Sequence, residues 1–324
     1  MRQLDTTERR ICAALLARPR ATWRELSQQL ELSERTVVRR VAPLYADGTL
    51  RATVLRDPAY FTELRPMVLR LRCHPSRTRT IAESLARRPD SISVDVIGGG
   101  EEICALLFLD GIRARDELLL RDLPATSTVL ASTAHRVLRG LPSAFDPTGS
   151  ERNIVHGSPI GTISPTATLV GGDFTLIDAL ARNGRASYAE LARQTGMTES
   201  TVRRRLDALF TAGALRPATE LDLALLGVQA EAFVWITAAP AALDTVVETL
   251  GACPQVRMLL AITGNANLLA AVAVSDMPAL YTFLGDTLGA LAGVATAETT
   301  PVLMPLKRTG LPRRANRQAQ PAPA

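Results

Sequence analysis

Two short segments stand out for the chemistry their side chains can do: Ser33-Glu-Arg35-Thr36-Val-Val-Arg39-Arg40 and Thr198-Glu-Ser200-Thr201-Val-Arg203-Arg204-Arg205. If each is helical, Val37, Val41 and Leu44 fall on one face of the first and Val202, Leu206 and Leu209 on one face of the second. Arg35, Thr36, Arg39 and Arg40, and likewise Ser200, Thr201, Arg203, Arg204 and Arg205, then point outward. A guanidinium donates two parallel hydrogen bonds to a guanine edge or a phosphate, and a threonine offers a hydroxyl to phosphate or a methyl to thymine. Ser33 and Thr198 sit where an N-cap belongs, each directly after a short turn from a preceding helix. A solvated helix face is the bland alternative. A basic helix that follows a capped turn, twice over, favours a major-groove reader.

A second pair of segments is rich in small residues: Gly98-Gly99-Gly100-Glu101-Glu102 and Thr263-Gly264-Asn265-Ala-Asn267. Such residues let a backbone bend sharply or approach a ligand, and nearby amides or carboxylates can hold the amine and carboxylate of an amino acid. A plain hairpin turn fits the same residues, and both readings stand at this level. No catalytic or metal-binding set is found. Cys12, Cys73, Cys104 and Cys253 lie singly in apolar segments without CxxC spacing. His74, His135 and His156 form no common base, His135 being read as a surface residue of a strand, and Gly-rich phosphate loops and Ser-His-Asp sets are missing. No cofactor is expected.

The chain has 324 residues, 47% of them hydrophobic, and a formal charge of +5. That is enough apolar content for two or more domains. All but one of the 37 basic residues are arginine, Lys307 being the exception. A G+C-rich genome produces that bias by itself, so the clustering of arginine carries more weight than the total. No stretch approaches the roughly 18 apolar residues of a membrane span, and Met1-Arg2-Gln3-Leu4-Asp5 begins no secretion signal, which gives a cytoplasmic expectation.

The elements that must position these residues are repeated. Sliding the chain by 165 residues sets Trp23-Arg-Glu-Leu against Tyr188-Ala-Glu-Leu and brings Leu44/Leu209, Gly48/Gly213, Leu50/Leu215 and Arg51/Arg216 into register without a gap. The register continues through Pro75/Pro240, Glu83/Glu248, Pro89/Pro254, Gly99/Gly264 and Val137/Val302. A unit spanning about residues 4–139 therefore recurs at about 169–304. Each unit opens with three amphipathic helices and then a short strand, residues 49–55 and 214–219, expected to make a wing from which Arg51, Arg56 and Arg216 reach phosphates. Strand, helix, strand, strand, helix, strand follows, at 67–73, 78–87, 92–97, 103–109, 113–123 and 129–137. The second unit repeats it at 232–237, 241–250, 256–262, 268–274, 277–291 and 295–301. That order predicts a ferredoxin-like sandwich with one sheet face free to meet a second sheet.

The expected class is thus α+β: two winged helix-turn-helix domains and two ferredoxin-like βαββαβ sensor domains in tandem. The boundaries are 1–62 and 63–140 for the first pair, 141–168 for a Gly/Pro/Ser/Thr-rich linker, 169–224 and 225–308 for the second pair, and 309–324 for a disordered tail.

Glu190-Leu-Ala-Arg-Gln-Thr-Gly-Met-Thr-Glu-Ser-Thr-Val-Arg-Arg-Arg-Leu, Gly213-Ala-Leu-Arg and Ile262-Thr-Gly-Asn-Ala-Asn267, in this order and spacing, resemble the Lrp/AsnC family of feast/famine regulators. The resemblance spans nearly all of both units. It implies a transcription regulator that binds double-stranded DNA through Ser33, Arg35, Thr36, Arg39, Arg40, Arg51, Thr198, Ser200, Thr201, Arg203, Arg204, Arg205 and Arg216. It also implies an amino-acid effector held near Thr263, Gly264, Asn265 and Asn267 and near Gly99, Gly100, Glu101 and Glu102. The sequence departs from the family in that Asn267 stands where the turn motif usually ends in an acid, and Gly98-Gly99 replaces the Thr-Gly start. Because one chain supplies both recognition helices, a homo-oligomer built on an intrachain pseudo-dimer is expected. The helices differ, Arg35, Val38 and Arg39 against Ser200, Arg203 and Arg204, so the resemblance implies an imperfect palindrome. Sirohaem decarboxylases resemble this family in fold and work with His and Arg around a tetrapyrrole; the scattered histidines speak against that chemistry. A sensor that binds a small molecule without DNA is the third possibility.

Overall fold

The computed structural model describes residues 3–58, 60, 61, 63–141, 143–145 and 169–313. Its first unit starts with α1 (Thr6–Ala17), α2 (Trp23–Leu30) and α3 (Glu34–Ala46). Local signals set their starts. Asp5 accepts from the Glu8 amide at 2.8 Å while the Glu8 carboxylate takes the Asp5 amide at 3.1 Å, and Thr22 and Glu25 form the same box on α2. Ser33 caps α3 by accepting from the Thr36 amide at 3.1 Å. Ile11, Leu15, Leu26, Val37, Val41 and Leu44 meet in the bundle core.

After β1 (Arg51–Arg56) come β2 (Leu64–Cys73), α4 (Thr78–Arg87), β3 (Ser91–Ile97), β4 (Glu102–Asp110), α5 (Gly111–Asp116), a π-helical turn (Glu117–Asp122), α6 (Leu123–Ala125) and β5 (Val129–Leu141). The second unit repeats this with α7 (Gly171–Arg182), α8 (Tyr188–Thr195), α9 (Glu199–Thr211), β6 (Leu215–Glu220), β7 (Ala230–Ala238), α10 (Leu243–Ala252), β8 (Val256–Ile262), β9 (Leu268–Val274), α11 (Met277–Thr282), β10 (Val294–Arg308) and the short β11 (Leu311–Pro312). Among the described residues, no helix is long and apolar enough to cross a membrane.

The two sheets do more than face each other. β5 pairs with β2 up to Arg136 and then, from Val137, with β8 of the second unit. β10 pairs with β7 up to Pro301 and then, from Val302, with β3 of the first unit. The order β10-β3-β4-β2-β5-β8-β9-β7 closes on itself because β7 also borders β10, which makes a barrel-like sheet. Val137 and Val302, identical in the repeat, mark the two crossing points. Alternation sorts the side chains. Leu69, Leu71 and Leu107 lie under the helices of the first unit and Val234, Ile236 and Val272 under those of the second. Val68, Leu106, Phe233, Trp235, Leu260 and Leu269 fill the space between the sheets.

Three expectations are corrected. Among the described residues neither unit forms a wing of its own: β1 and β6 pair with each other, antiparallel, from Arg51 opposite Glu220 to Arg56 opposite Leu215. A lone strand carries unpaired amides and carbonyls, and the second copy of the same strand satisfies them. The tail is ordered through Arg313, since β11 folds back on β10 and Arg313 reaches Asp222 at 3.2 Å. The first residues of the expected linker are packed against the fold: Leu141 still belongs to β5, the Ala144 amide bonds to the Gly251 carbonyl and Phe145 is buried. Residues 146–168 and 314–324, with His156, lie outside the described residues.

A buried ion network ties β10 to both units. Arg308 donates to Asp95 on β3 (2.9 Å) and to Glu231 on β7 (2.9 Å), and Arg257 lies 3.5 Å from Glu231. Burial, reinforced by neighbouring Arg308, lowers the Arg257 pKa to about 10. Burial also pushes the Asp95 carboxyl up against the pull of Arg308. At Glu231 the opposing burial is outweighed by Arg308 and Arg257, which hold it below its ordinary value. Removing the central cation leaves two carboxylates in a dry site, so Arg308→Met is expected to lower the unfolding free energy by about 3–5 kcal/mol, read from urea denaturation.

Candidate nucleic-acid interface and sensor turns

α3 and α9 are held by their apolar sides, and their outer sides carry the expected groups. Arg35, Arg39, Arg203 and Arg204 are exposed, as are Ser33, Thr198 and Ser200. The cap hydroxyls are shared: Ser33 Oγ lies 2.8 Å from Thr36 Oγ1, and Thr198 Oγ1 lies 2.9 Å from Thr201 Oγ1 and 3.0 Å from Ser200 Oγ. Arg203 is steadied over the Tyr188 ring, 5.0 Å from its centroid, with Glu199 at 3.8 Å. Arg203, Arg204, Ser200, Glu199 and Asp207 line a shallow open depression on α9. Val38, 40% exposed, stands on α3 where α9 has Arg203. It gives the first helix an exposed apolar spot where the second carries a cation.

The remaining predicted cations have partners within the protein. Arg40 bonds to Asp5 at 2.6 Å. Arg205 grips Asp173, whose side chain is fully buried, with Nε 2.7 Å from Oδ1. Arg216 lies 3.2 Å from buried Asp57, and burial holds its pKa below the ordinary arginine value. Arg51 donates to the Pro312 carbonyl at 2.7 Å. Arg56 packs on the Phe61 ring at 5.7 Å. Arg40 and Arg205 anchor α3 and α9 to the starts of α1 and α7. Arg205→Ala strands the buried Asp173 and should destabilise the second bundle by about 3 kcal/mol, whereas Arg204→Ala should leave the melting temperature within about a degree; paired thermal melts check this.

The two sensor turns are unequal. At the second, Gly264 has φ +117, and a Cβ there would sit 2.6 Å from His135 Nδ1. His135 is buried rather than on the surface as expected: Nδ1 lies 2.6 Å from the Thr263 carbonyl oxygen and the ring packs 5.2 Å from that of Trp235. Thr263 Oγ1 accepts from the Arg136 amide at 2.9 Å, and the Asn265 carbonyl accepts from Thr237 Oγ1 at 2.9 Å. The Asn267 amide closes a two-bond ring with Ala238, donating to its carbonyl at 2.7 Å and accepting from its N–H at 2.9 Å. The backbone and side-chain groups expected to hold an effector here are therefore used to brace the turn. At the first turn, Glu102 takes Arg70 at 2.7 Å, Arg70 also holds Glu298 of β10 at 2.6 Å, and its guanidinium lies over Trp235 at 5.3 Å. Leu303 closes over Gly100, while Gly99 and Glu101 stay at the rim. No cluster of three or more metal-ligating side chains occurs among the described residues. Asn267→Asp removes the donor that faces the Ala238 carbonyl and is expected to cost about 1–3 kcal/mol, measurable by chemical denaturation.

Comparisons with known proteins agree with this architecture. The sequence model of the AsnC-type helix-turn-helix domain matches twice, at residues 4–44 and 172–209, and that of the Lrp/AsnC ligand binding domain matches residues 231–312. An uncharacterized HTH-type transcriptional regulator of Pyrococcus abyssi is 32% identical over 142 residues, 44% of this chain and 89% of the relative. The HTH-type transcriptional regulator FL11 of Pyrococcus horikoshii is 27% identical over 138 residues, 42% of this chain and 91% of its own. Among solved structures, the siroheme decarboxylase NirDL shares the fold across 94% of this chain and 93% of its own, with a TM-score of 0.62 and 13% identity. The capped basic helix in duplicate, the matching domains and the relative covered almost end to end place this chain in the Lrp/AsnC family.

Proposed function

We propose that the chain is a DNA-binding transcription regulator in which one polypeptide presents two recognition helices, α3 and α9. The observation that carries this is the pair of capped helices with outward, exposed guanidinium groups, Arg35 and Arg39 on one and Arg203 and Arg204 on the other, while Arg40 and Arg205 behind them are tied to carboxylates. Free-ended cations on the outer face beside cations tied to carboxylates is an arrangement that puts charge against phosphate and holds the helix steady. Arg35 and Val38 against Ser200 and Arg203 give the helices different readouts, so the preferred site is an imperfect palindrome. The domain division follows: a DNA-binding part made of α1–α3, α7–α9 and the β1–β6 ribbon, and a sensor part made of the closed sheet with its helices. A small effector, an amino acid by family, would be held at the sensor turns, where Gly99 and Glu101 of the first and Thr263, Gly264 and Asn265 of the second remain at least partly exposed. Further copies of the chain would assemble on this intrachain pseudo-dimer.

An enzyme of the sirohaem-decarboxylase kind is the second reading, favoured by the likeness of fold along nearly the whole chain. Its support is weaker. His135 is committed to Thr263 and Trp235, His74 to Ser76 at 2.9 Å, and the equivalent positions in the repeat are Thr300 and Ala239. Binding to pooled genomic fragments across a salt series tests the two. Selective retention is expected, with a steep salt dependence. Arg35→Ala, Arg39→Ala, Arg203→Ala, Arg204→Ala together should abolish selectivity and flatten the slope by about one for each phosphate that is no longer neutralised. Absence of selective binding, together with uptake of a tetrapyrrole followed by its absorbance, would replace the regulator with the enzyme.

A further inference from the structure

Arg20 and Arg185 occupy the same place in the repeat, in the turn between the first and second helix of each unit, and each crosses to the other unit. Arg185 donates to the Pro19 carbonyl at 2.7 Å and the Ala21 carbonyl at 2.8 Å, and its guanidinium lies over the Trp23 ring, 4.0 Å from the centroid. Arg20 donates to the Gly184 carbonyl and stacks on Phe210 at 5.5 Å. Each arginine also senses a tyrosine of the opposite unit, Tyr45 for Arg185 and Tyr188 for Arg20. Pro19 and Gly184, Trp23 and Tyr188, and Tyr45 and Phe210 are all equivalent positions. In a chain with two tryptophans and four tyrosines, this junction uses one tryptophan and two tyrosines.

Tyr45 and Phe210 lie at the C-terminal ends of α3 and α9. Arg20 thus contacts α9 directly through Phe210, and Arg185 lies within electrostatic reach of Tyr45 at the equivalent end of α3. The surfaces are close: a Cβ at Gly184 would lie 2.5 Å from the Thr53 amide nitrogen, the Gly184 amide bonds to the Ala52 carbonyl, and Thr53 Oγ1 reaches the Ala181 carbonyl at 3.0 Å. Both arginines are half-buried, and burial lowers both below the ordinary arginine value. Both donate to carbonyl oxygens. A planar fork that spans carbonyls and lies flat on a ring demands one orientation, which a flexible ammonium does not.

We propose that Arg20 and Arg185 are positioning residues that form a reciprocal clamp, fixing the separation of α3 and α9 and hence the half-site spacing the protein accepts on DNA. The spacing part rests on the DNA-binding reading; the clamp itself does not. Each base pair inserted between half-sites turns one of them by about a tenth of a helical turn, so a rigid pair of helices tolerates only one separation well. A pair freed from the clamp tolerates several.

The test uses full-length protein with Cys253→Ser and spin labels at Ala46→Cys and Thr211→Cys, exposed and equivalent positions at the C-terminal ends of α3 and α9, about two turns beyond Arg39 and Arg204. Electron-electron resonance without DNA should give one narrow distance with the clamp intact and a broad distribution in Arg20→Ala, Arg185→Ala. Arg20→Lys, Arg185→Lys should also broaden it, and this pair supplies the reading if the alanine pair loses its helical circular dichroism. On selected duplexes whose half-sites are moved apart one base pair at a time, the parent should lose about tenfold or more per misplaced step, and the folded variant should vary by less than about threefold while binding a single half-site as before. A narrow, unchanged distance in the folded variants overturns the clamp. Broadening with an unaltered spacing preference overturns its role in site choice. If neither protein binds DNA selectively, the DNA reading and the spacing claim fall together, and the distance distributions still decide the clamp.

Discussion

A β-strand at the edge of a sheet exposes a row of backbone donors and acceptors that need partners. In this chain that requirement is met by exchange. β5 and β10 run past their own sheets, and each completes the other unit's edge. The closed sheet that results has β5–β8 and β10–β3 as its two seams, and everything else is arranged around them. The interior between the sheets becomes a shared core, with Val68, Phe233 and Trp235 from different units in one cluster. The ion network of Arg308, Asp95 and Glu231 spans a seam and fixes β10 to both halves. The same logic holds one level up, where β1 and β6 satisfy each other and draw the two helical bundles together.

Joining two units in one chain removes the association step that separate subunits would need, and it also frees the halves to diverge. Their divergence is visible in the turns. His135 of the first unit fills the space beside Gly264, whereas its repeat equivalent, Thr300 of the second unit, lies near Gly98, and Asn267 braces Ala238 where Glu102 instead holds Arg70. It is visible again on the recognition helices, where Val38 faces outward on one and Arg203 on the other. Identical subunits could not make these choices independently.

The repeat, the helix starts and the order of strands are readable because each rests on local chemistry: caps such as Ser33 and Thr198, the unbroken apolar run of residues 268–274, and helical periodicity in α1 to α3. Residues 78–87, 256–262 and 268–274 appear in the structure with the expected bounds. What was missed depends on partners distant in sequence. β5 and β10 were expected to stop at residues 137 and 301, because their last residues are strands only in the presence of the other sheet. Residue type alone points Arg40, Arg205 and Arg216 at DNA, and sequence periodicity cannot show their ion-pair partners Asp5, Asp173 and Asp57, which come from other segments of the chain. The same limit hid the burial of His135. The pairing of Arg20 with Arg185 had a sequence signal, since arginine and aromatic positions both recur at the repeat distance, but only the fold shows that they cross.

The central claim is that one polypeptide places two unlike recognition helices on one duplex, and hydroxyl-radical footprinting on a selected site tests it most directly. Two protected patches per bound chain are expected, with Arg35→Ala, Arg39→Ala erasing one and Arg203→Ala, Arg204→Ala erasing the other. A single patch per chain, or loss of both patches from either pair of substitutions with the fold intact, would contradict it.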